Sequence, residues 1–144
     1  MLIVDDSPFM LKAISDVLGT DDSLTVVGNA IRIGDAVTTA RELRPDVAVI
    51  DVNMPGGGGW ALARRLRQSV PGIRLVAYSA VDDPQVPRTL AAAGVAAYVI
   101  KGSDIELLLA AIHGEDLLPP SEQPVTLVGR RKHRQISPVT NPAA

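Results

Sequence analysis

The 144-residue chain contains no cysteine, which excludes disulfides and thiolate metal sites and suits a reducing compartment. Aromatic residues are scarce: one tryptophan, two tyrosines and one phenylalanine. A stacking platform for nucleic-acid bases or an isoalloxazine ring is therefore poorly provided for. The formal net charge of -2 leaves no overall field to gather nucleic acid or an anionic membrane surface. No apolar run approaches the roughly 18 residues of a membrane span, and the chain does not open with a basic region ahead of a long apolar stretch. The expectation is a cytoplasmic protein with about one domain's worth of chain.

What the sequence does have is rhythm. Five short apolar runs, Leu2 to Val4, Leu24 to Val27, Val47 to Ile50, Ile73 to Tyr78 and Ala97 to Ile100, are nearly continuous rather than alternating. Strands covered on both faces read this way, and helix-like segments separate them. The βα unit repeated five times predicts an α/β fold, a doubly wound parallel sheet with strand order 2-1-3-4-5. Ser7-Pro8 is a helix start, with Phe9, Ala13, Ile14, Val17 and Leu18 as the expected buried stripe before Gly19. Ala36, Val37, Ala40 and Leu43 mark a second helix; Ala61, Leu62 and Leu66 mark a third. A fourth, around Val86 to Ala93, is confined by Pro84 and Pro87. Ser103 to Glu106 reads as a capping box ahead of a fifth helix. The expected folded unit is residues 1–113. From Gly114 the periodicity stops and prolines accumulate, so residues 114–144 are expected to be a largely disordered tail. Its basic stretch GRRKHRQ, residues 129 to 135, reads as a solvated segment, and direct nucleic-acid binding is not expected.

In such a fold ligands sit outside the carboxyl ends of the strands, where the strand order switches. The residues at those ends are Asp5 and Asp6, Asp51, Ser79 and Lys101. Taken singly, each has an ordinary reading as a turn, cap or strand-end residue. Together they do not, because two carboxylates about 5 Å apart repel by roughly 3 kcal/mol at an effective dielectric near 20. Such a cluster calls for a cation, and oxygen ligands without cysteine or a nearby histidine favour Mg²⁺ or Mn²⁺. Mg²⁺ sites commonly include a phosphate oxygen, and aspartate is a nucleophile toward phosphoryl groups. Asp51 is thus a candidate for forming an acyl phosphate, with Lys101 neutralising charge on the transferred oxygens.

The motifs LIVDDS, VIDVNMP, YSA and AAYVIKGS, in this order and spacing, resemble the receiver domain of two-component response regulators, a flavodoxin-like chemotaxis-regulator type of fold. The resemblance covers nearly all of residues 2 to 113. It implies that Asp51 is the phosphoacceptor, that Asp6, Asp51 and the backbone carbonyl of Asn53 ligate Mg²⁺, and that Asp5 acts mainly through a bound water. It further implies that Ser79 bonds the phosphoryl group, that Lys101 pairs with it, and that Tyr98 is an aromatic whose rotamer follows phosphorylation. The implied partners are a sensor histidine kinase and a downstream protein or output domain reached through the surface of the fourth helix, fifth strand and fifth helix. A homodimer is left open. The stretch AGVAAYVIKGS looks like receivers attached to helix-turn-helix output domains.

Some features depart from that pattern. The first strand is short ahead of the acidic pair, so whether the native chain begins upstream of Met1 is left open. Gly102 follows the lysine where many receivers have proline, and glycines 56 to 59 replace a mixed loop. Those glycines read as flexibility plus a helix start rather than as a lid. Three rival functions are carried: a degenerate receiver acting as a phosphorylation-independent interaction module, an aspartate-nucleophile phosphohydrolase, and a flavin binder on the same fold. The second typically has another acid two residues after the nucleophile, where Asn53 stands, and the third lacks ring-stacking aromatics.

Overall fold

The computed structural model describes residues 1–114 and the backbone of residues 126–128. Its elements follow one another as β1 (Leu2–Val4), α1 (Pro8–Leu18), β2 (Gly28–Ala30), α2 (Ile33–Leu43), β3 (Val47–Ile50), α3 (Gly58–Ser69), β4 (Arg74–Ser79), α4 (Gln85–Ala92), β5 (Val95–Ile100), α5 (Ile105–His113) and β6 (Thr126–Val128). The five expected strands stand in the order 2-1-3-4-5, all pairings are parallel, and β6 extends the sheet beyond β5. Among the described residues no helix is long and apolar enough to cross a membrane.

The near-continuous apolar strands are explained by two cores. Leu2, Val4, Ala48, Ile50, Leu75, Ala77 and Tyr98 face one side of the sheet, where α2, α3 and α4 cover them. Ile3, Val49, Val76, Ala97 and Val99 face the other, against Leu11, Ile14 and Leu18 of α1 and Leu108, Ala111 and Ile112 of α5. With both faces dry, alternation of side-chain direction leaves no polar positions between the strand ends.

Four local expectations need correction. β2 is Gly28–Ala30 and not the apolar run Leu24 to Val27. That run lies just before the ladder: the Met1 carbonyl accepts from Val27 N at 2.9 Å, and Leu24 and Val26 pack on the α1/α5 core. Register with β1 begins only at Gly28, where an added Cβ would stand 3.0 Å from Thr39 Cγ2. In α1 the buried stripe is Leu11, Ile14 and Leu18, whereas Phe9 is 79% exposed and Val17 lies outside it. The helix start is as expected, with Ser7 Oγ accepting from Met10 N at 3.3 Å and Pro8 in the first turn. Before α5, Asp104 rather than Ser103 takes the N-cap position. Of the stretch expected to be a disordered tail, Thr126–Val128 forms a strand; apart from Gly114, the rest, including the basic residues 129 to 135, lies outside the described residues.

At the end of the sheet away from the acidic cluster, the α1–β2 loop is tied to the end of α5. Asp21 Oδ1 accepts from Ser23 Oγ at 2.6 Å and from Ser23 N at 2.9 Å, and Asp21 Oδ2 lies 3.1 Å from His113 Nε2. The hydroxyl and amide of Ser23, with His113 beside them, hold the Asp21 carboxyl down to about 2. A carboxyl depressed in the folded state stabilises it above the ordinary value of 3.8, and that contribution is lost as pH falls through about 2. A carboxyl-detected NMR titration should find Asp21 ionising near the lower value, and Ser23→Ala should move it back toward 3.8.

The four-glycine run is a built turn. Gly56, Gly57 and Gly58 all have positive φ (91°, 121° and 70°), and Gly59, in the first turn of α3, is pressed against the residue after Asp51. A Cβ on Gly59 would lie 2.9 Å from Val52 Cα, while Gly59 N donates to the Val52 carbonyl at 2.7 Å. Backbone on both sides of that contact leaves little room to relax. Gly59→Ala should therefore destabilise the protein by about 1–3 kcal/mol in chemical denaturation, an overpacking cost.

Candidate functional site

The carboxyl-end rim is pinned by the ladder itself. Asp5 N donates to the Ala30 carbonyl (3.1 Å), Asp51 N to the Val4 carbonyl (2.9 Å) and Lys101 N to the Ser79 carbonyl (2.9 Å). Each is the first residue past its strand, so the last bonds of the sheet fix where these side chains start. Asp5 and Asp51 are buried, at 2% and 7% exposure, and Ser79 is fully buried.

Lys101 spans this rim. Its Nζ lies 2.8 Å from Asp5 Oδ2 and 3.5 Å from Asp51 Oδ2. The other oxygens of the two carboxylates are held locally: Asp5 Oδ1 accepts from Ser7 N at 2.9 Å and Asp51 Oδ1 from Asn53 N at 3.2 Å. Burial by itself would lower the pKa of Lys101, but the hydrogen bond to Asp5 and the charges of Asp51 and Asp5 outweigh it and raise it. The lysine is therefore a fixed cation at neutral pH.

Asp5, Asp6 and Asp51 each place a carboxylate oxygen within 4.8 Å of the others, with Asp6 exposed. This all-oxygen set, open on the Asp6 side, fits a hard divalent cation such as Mg²⁺ or Mn²⁺ better than a soft metal. With Asp5 occupied by Lys101 and Ser7, the oxygens of Asp6 and Asp51 are the better placed for direct ligation. Asn53 is exposed beside them, and the carbonyls on either side of it, of Val52 and Met54, accept from Gly59 and Gly58.

Ser79 ends β4, two residues past Ala77, which pairs with Ile50. Its Oγ accepts from Val81 N at 3.3 Å, and the Val81 carbonyl in turn accepts from the Tyr98 hydroxyl at 2.6 Å. Tyr98 is fully buried, with its ring in the α2/α3/α4 core. Burial raises its pKa against a hydrogen bond with Ser79, and the charges of Asp51, Asp82 and Asp83 add to the rise. All the expected site residues are thus on one rim, with Tyr98 just beneath it. Val81, which ties Ser79 to Tyr98, escaped the sequence reading because it acts through its backbone. Trp60, in the first turn of α3, carries the Arg64 guanidinium 4.8 Å from its ring centroid.

Replacing Lys101 by methionine leaves two buried carboxylates without their shared cation. Lys101→Met should lower unfolding free energy, measured without divalent ions, toward the low end of the roughly 3–5 kcal/mol seen when one partner of a buried pair is removed.

The family model described as "Response regulator receiver domain" matches residues 1–113. Among curated proteins, the response regulator GacA of Pseudomonas aeruginosa is 38% identical over 112 residues, covering 78% of this chain and 52% of GacA. The DNA-binding transcriptional activator DevR/DosR of Mycobacterium tuberculosis is 34% identical over 101 residues, 70% of this chain and 46% of that protein. The chain spans about half the length of these curated relatives. Among solved structures, a LuxR-family two-component response regulator from an Aurantimonas species aligns with a TM-score of 0.74 at 27% identity, over 83% of this chain and 89% of the other. The signal receiver domain of a response regulator named NarL from Mycobacterium tuberculosis aligns with a TM-score of 0.71 at 27% identity, over 78% and 94%.

Proposed function

The chain belongs to the response regulator receiver domain family, and from that membership we propose that it is a phosphorylation-controlled signalling module whose Asp51 accepts a phosphoryl group from a histidine kinase. The observation that carries this reading is the Lys101 ammonium lying between two buried carboxylates, 2.8 Å from Asp5 and 3.5 Å from Asp51. A buried carboxylate beside a fixed cation, at the end of a strand, is arranged as a nucleophile toward phosphorus.

In the transfer, Asp51 Oδ2 attacks the phosphorus of a phosphohistidine; the new O–P bond forms as the N–P bond breaks and the imidazole leaves. A Mg²⁺ or Mn²⁺ ion, when bound by Asp6, Asp51 and the Asn53 carbonyl with Asp5 acting through water, supplies neutralisation of the phosphoryl oxygens. Lys101 moves its charge from the bare Asp51 carboxylate onto a phosphoryl oxygen. Ser79 exchanges the Val81 amide for a phosphoryl oxygen as its partner. The loop after β4 then loses one anchor, and the Val81 carbonyl moves away from the Tyr98 hydroxyl it had accepted from. The surface of α4, β5 and α5 is remodelled in consequence, and a downstream protein or output domain reads it. The module is regulatory: beyond accepting phosphate from small donors and losing it slowly, it does no chemistry on other molecules.

Incubation with acetyl phosphate and Mg²⁺ followed by intact mass tests this directly. Wild-type protein should gain one phosphate-sized increment, lost on adding EDTA before the donor and absent in Asp51→Asn. Wild-type protein that gains no mass in any condition would favour the phosphorylation-independent interaction module, and multiple turnover of phosphate esters would favour the phosphohydrolase.

A further inference from the structure

The two edges of the sheet differ sharply. β2, at one edge, is three residues long and reads Gly-Asn-Ala, too short and too polar to invite pairing. β5 would be the other edge without β6, and it is six residues of Val-Ala-Ala-Tyr-Val-Ile, with no charge, proline or glycine. A bare apolar edge of this kind is a template for another chain, and natural sheets blunt it with a charge, a proline, a bulge or a cover. The one irregularity in β5 is an extra residue, Ala96, opposite the Leu75–Val76 step of β4, and it lies ahead of Ala97 to Val99, which run in unbroken register with β4. The cover is supplied instead by the chain itself: Thr126, Leu127 and Val128 pair in parallel with Ala97, Tyr98 and Val99.

We propose that Thr126–Val128 is a self-supplied guard strand, which occupies the outer edge of β5 in cis and so excludes a second copy of this chain from pairing there. Two features favour the cis strand as the occupant. A parallel neighbour for β5 needs a crossover that brings the chain back to the start of the strand, and α5 is that crossover, so β6 continues the βα alternation with no exchange between chains. A segment tethered by a short connection competes at an effective concentration on the order of millimolar, well above that of a second copy in a micromolar solution. The guarded edge lies between α4 and α5, on the face that the proposed function assigns to output. The guard does not require that Asp51 accept phosphate.

The test uses the full-length chain. In a strand, successive residues turn their amides to opposite sides, so either Leu127 or the pair Thr126 and Val128 donates to β5. Leu127→Pro and the double variant Thr126→Pro/Val128→Pro together cover both cases. Hydrogen exchange read by mass spectrometry should show protection across residues 95–100 falling on the order of tenfold in at least one variant, with residues 47–50 of β3 unchanged as evidence that the fold is intact. In sedimentation velocity the same variant should shift toward dimer while wild-type protein stays monomeric. Unchanged exchange at 95–100 in both variants would overturn the pairing, and a variant that exposes β5 yet remains as monomeric as wild type would overturn the guard role. A wild-type dimer that dissociates in the variants would equally overturn it, since the strand would then be acting between chains. None of these readouts depends on phosphorylation, so they separate this proposal from the one on Asp51.

Discussion

The pairing of one ammonium with two buried carboxylates is the constraint around which the rim is built. Lys101 starts at the end of β5 and reaches Asp5 at the end of β1, with β3 and β4 between the two strands. Such a span needs the long, flexible stem of lysine and a compact charge at its tip. The contact levels the ends of distant strands, because the ladder bonds from Asp5, Asp51 and Lys101 leave their backbones no freedom to compensate. It also sets the electrostatics. Asp5 and Asp51 are buried close to each other and would repel, and in a low-dielectric rim that repulsion is costly without a cation. One lysine offsets two carboxylates only in part, and Asp6 adds a third. The rim therefore retains an excess of negative charge on the side where Asp6 is exposed, and in the proposed function this is the feature that would draw a divalent ion and, through it, an anionic donor.

Much of this was legible from residue order, for a physical reason. Strands buried on both faces must be apolar to their ends, so the first polar residue after each run marks the rim, and that rule found Asp5, Asp51 and Lys101 directly. It failed where burial is incomplete. β2 is an edge strand, paired only with β1, and its Gly-Asn-Ala has no apolar signature; the nearby run Leu24 to Val27 drew attention because two of its members do pack on the core. In α1 the residues Phe9, Ala13 and Val17 recur with helical spacing as well as Leu11, Ile14 and Leu18 do, and only contact with the sheet decides which stripe is covered. β6 falls in a short β-branched and apolar run, Val125 to Val128 between Pro124 and Gly129, which the proline-rich and basic sequence around it obscured. It exists because the adjoining β5 edge leaves hydrogen-bonding groups to be satisfied.

The glycine run shows how local chemistry and function-bearing geometry share residues. Flexibility was the natural reading of four glycines in sequence. In the fold they are constrained instead, three by positive φ and the fourth by contact with Val52, so they hold α3 close against the segment that carries Asp51. A stiff support on this side matters because Asp51 must remain aligned with Lys101, while the opposite side of the rim can yield.

The yielding side is the connection from β4 to α4. α4 begins after Pro84 and has Pro87 in its first turn, and its first amides are held by the residue before Pro84: Asp83 Oδ1 accepts from Gln85 N at 2.9 Å and the Asp83 carbonyl from Val86 N at 3.1 Å. The prolines are tolerated there because the first-turn amides of a helix have no intrahelical partner to lose. The preceding loop is tied to β5 by the chain Ser79 to Val81 to Tyr98, two hydrogen bonds in series through one residue's backbone. In the proposed switch, drawing Ser79 toward Asp51 breaks the first bond and weakens the geometry of the second. The backbone of β5 is held on both sides, Tyr98 pairing with Ala77 and with Leu127, so within the α4, β5 and α5 surface the change on β5 falls on side chains. A phosphoryl signal is thus expected to leave the rim through the loop and α4, with the strand acting as the fixed frame against which that loop is released.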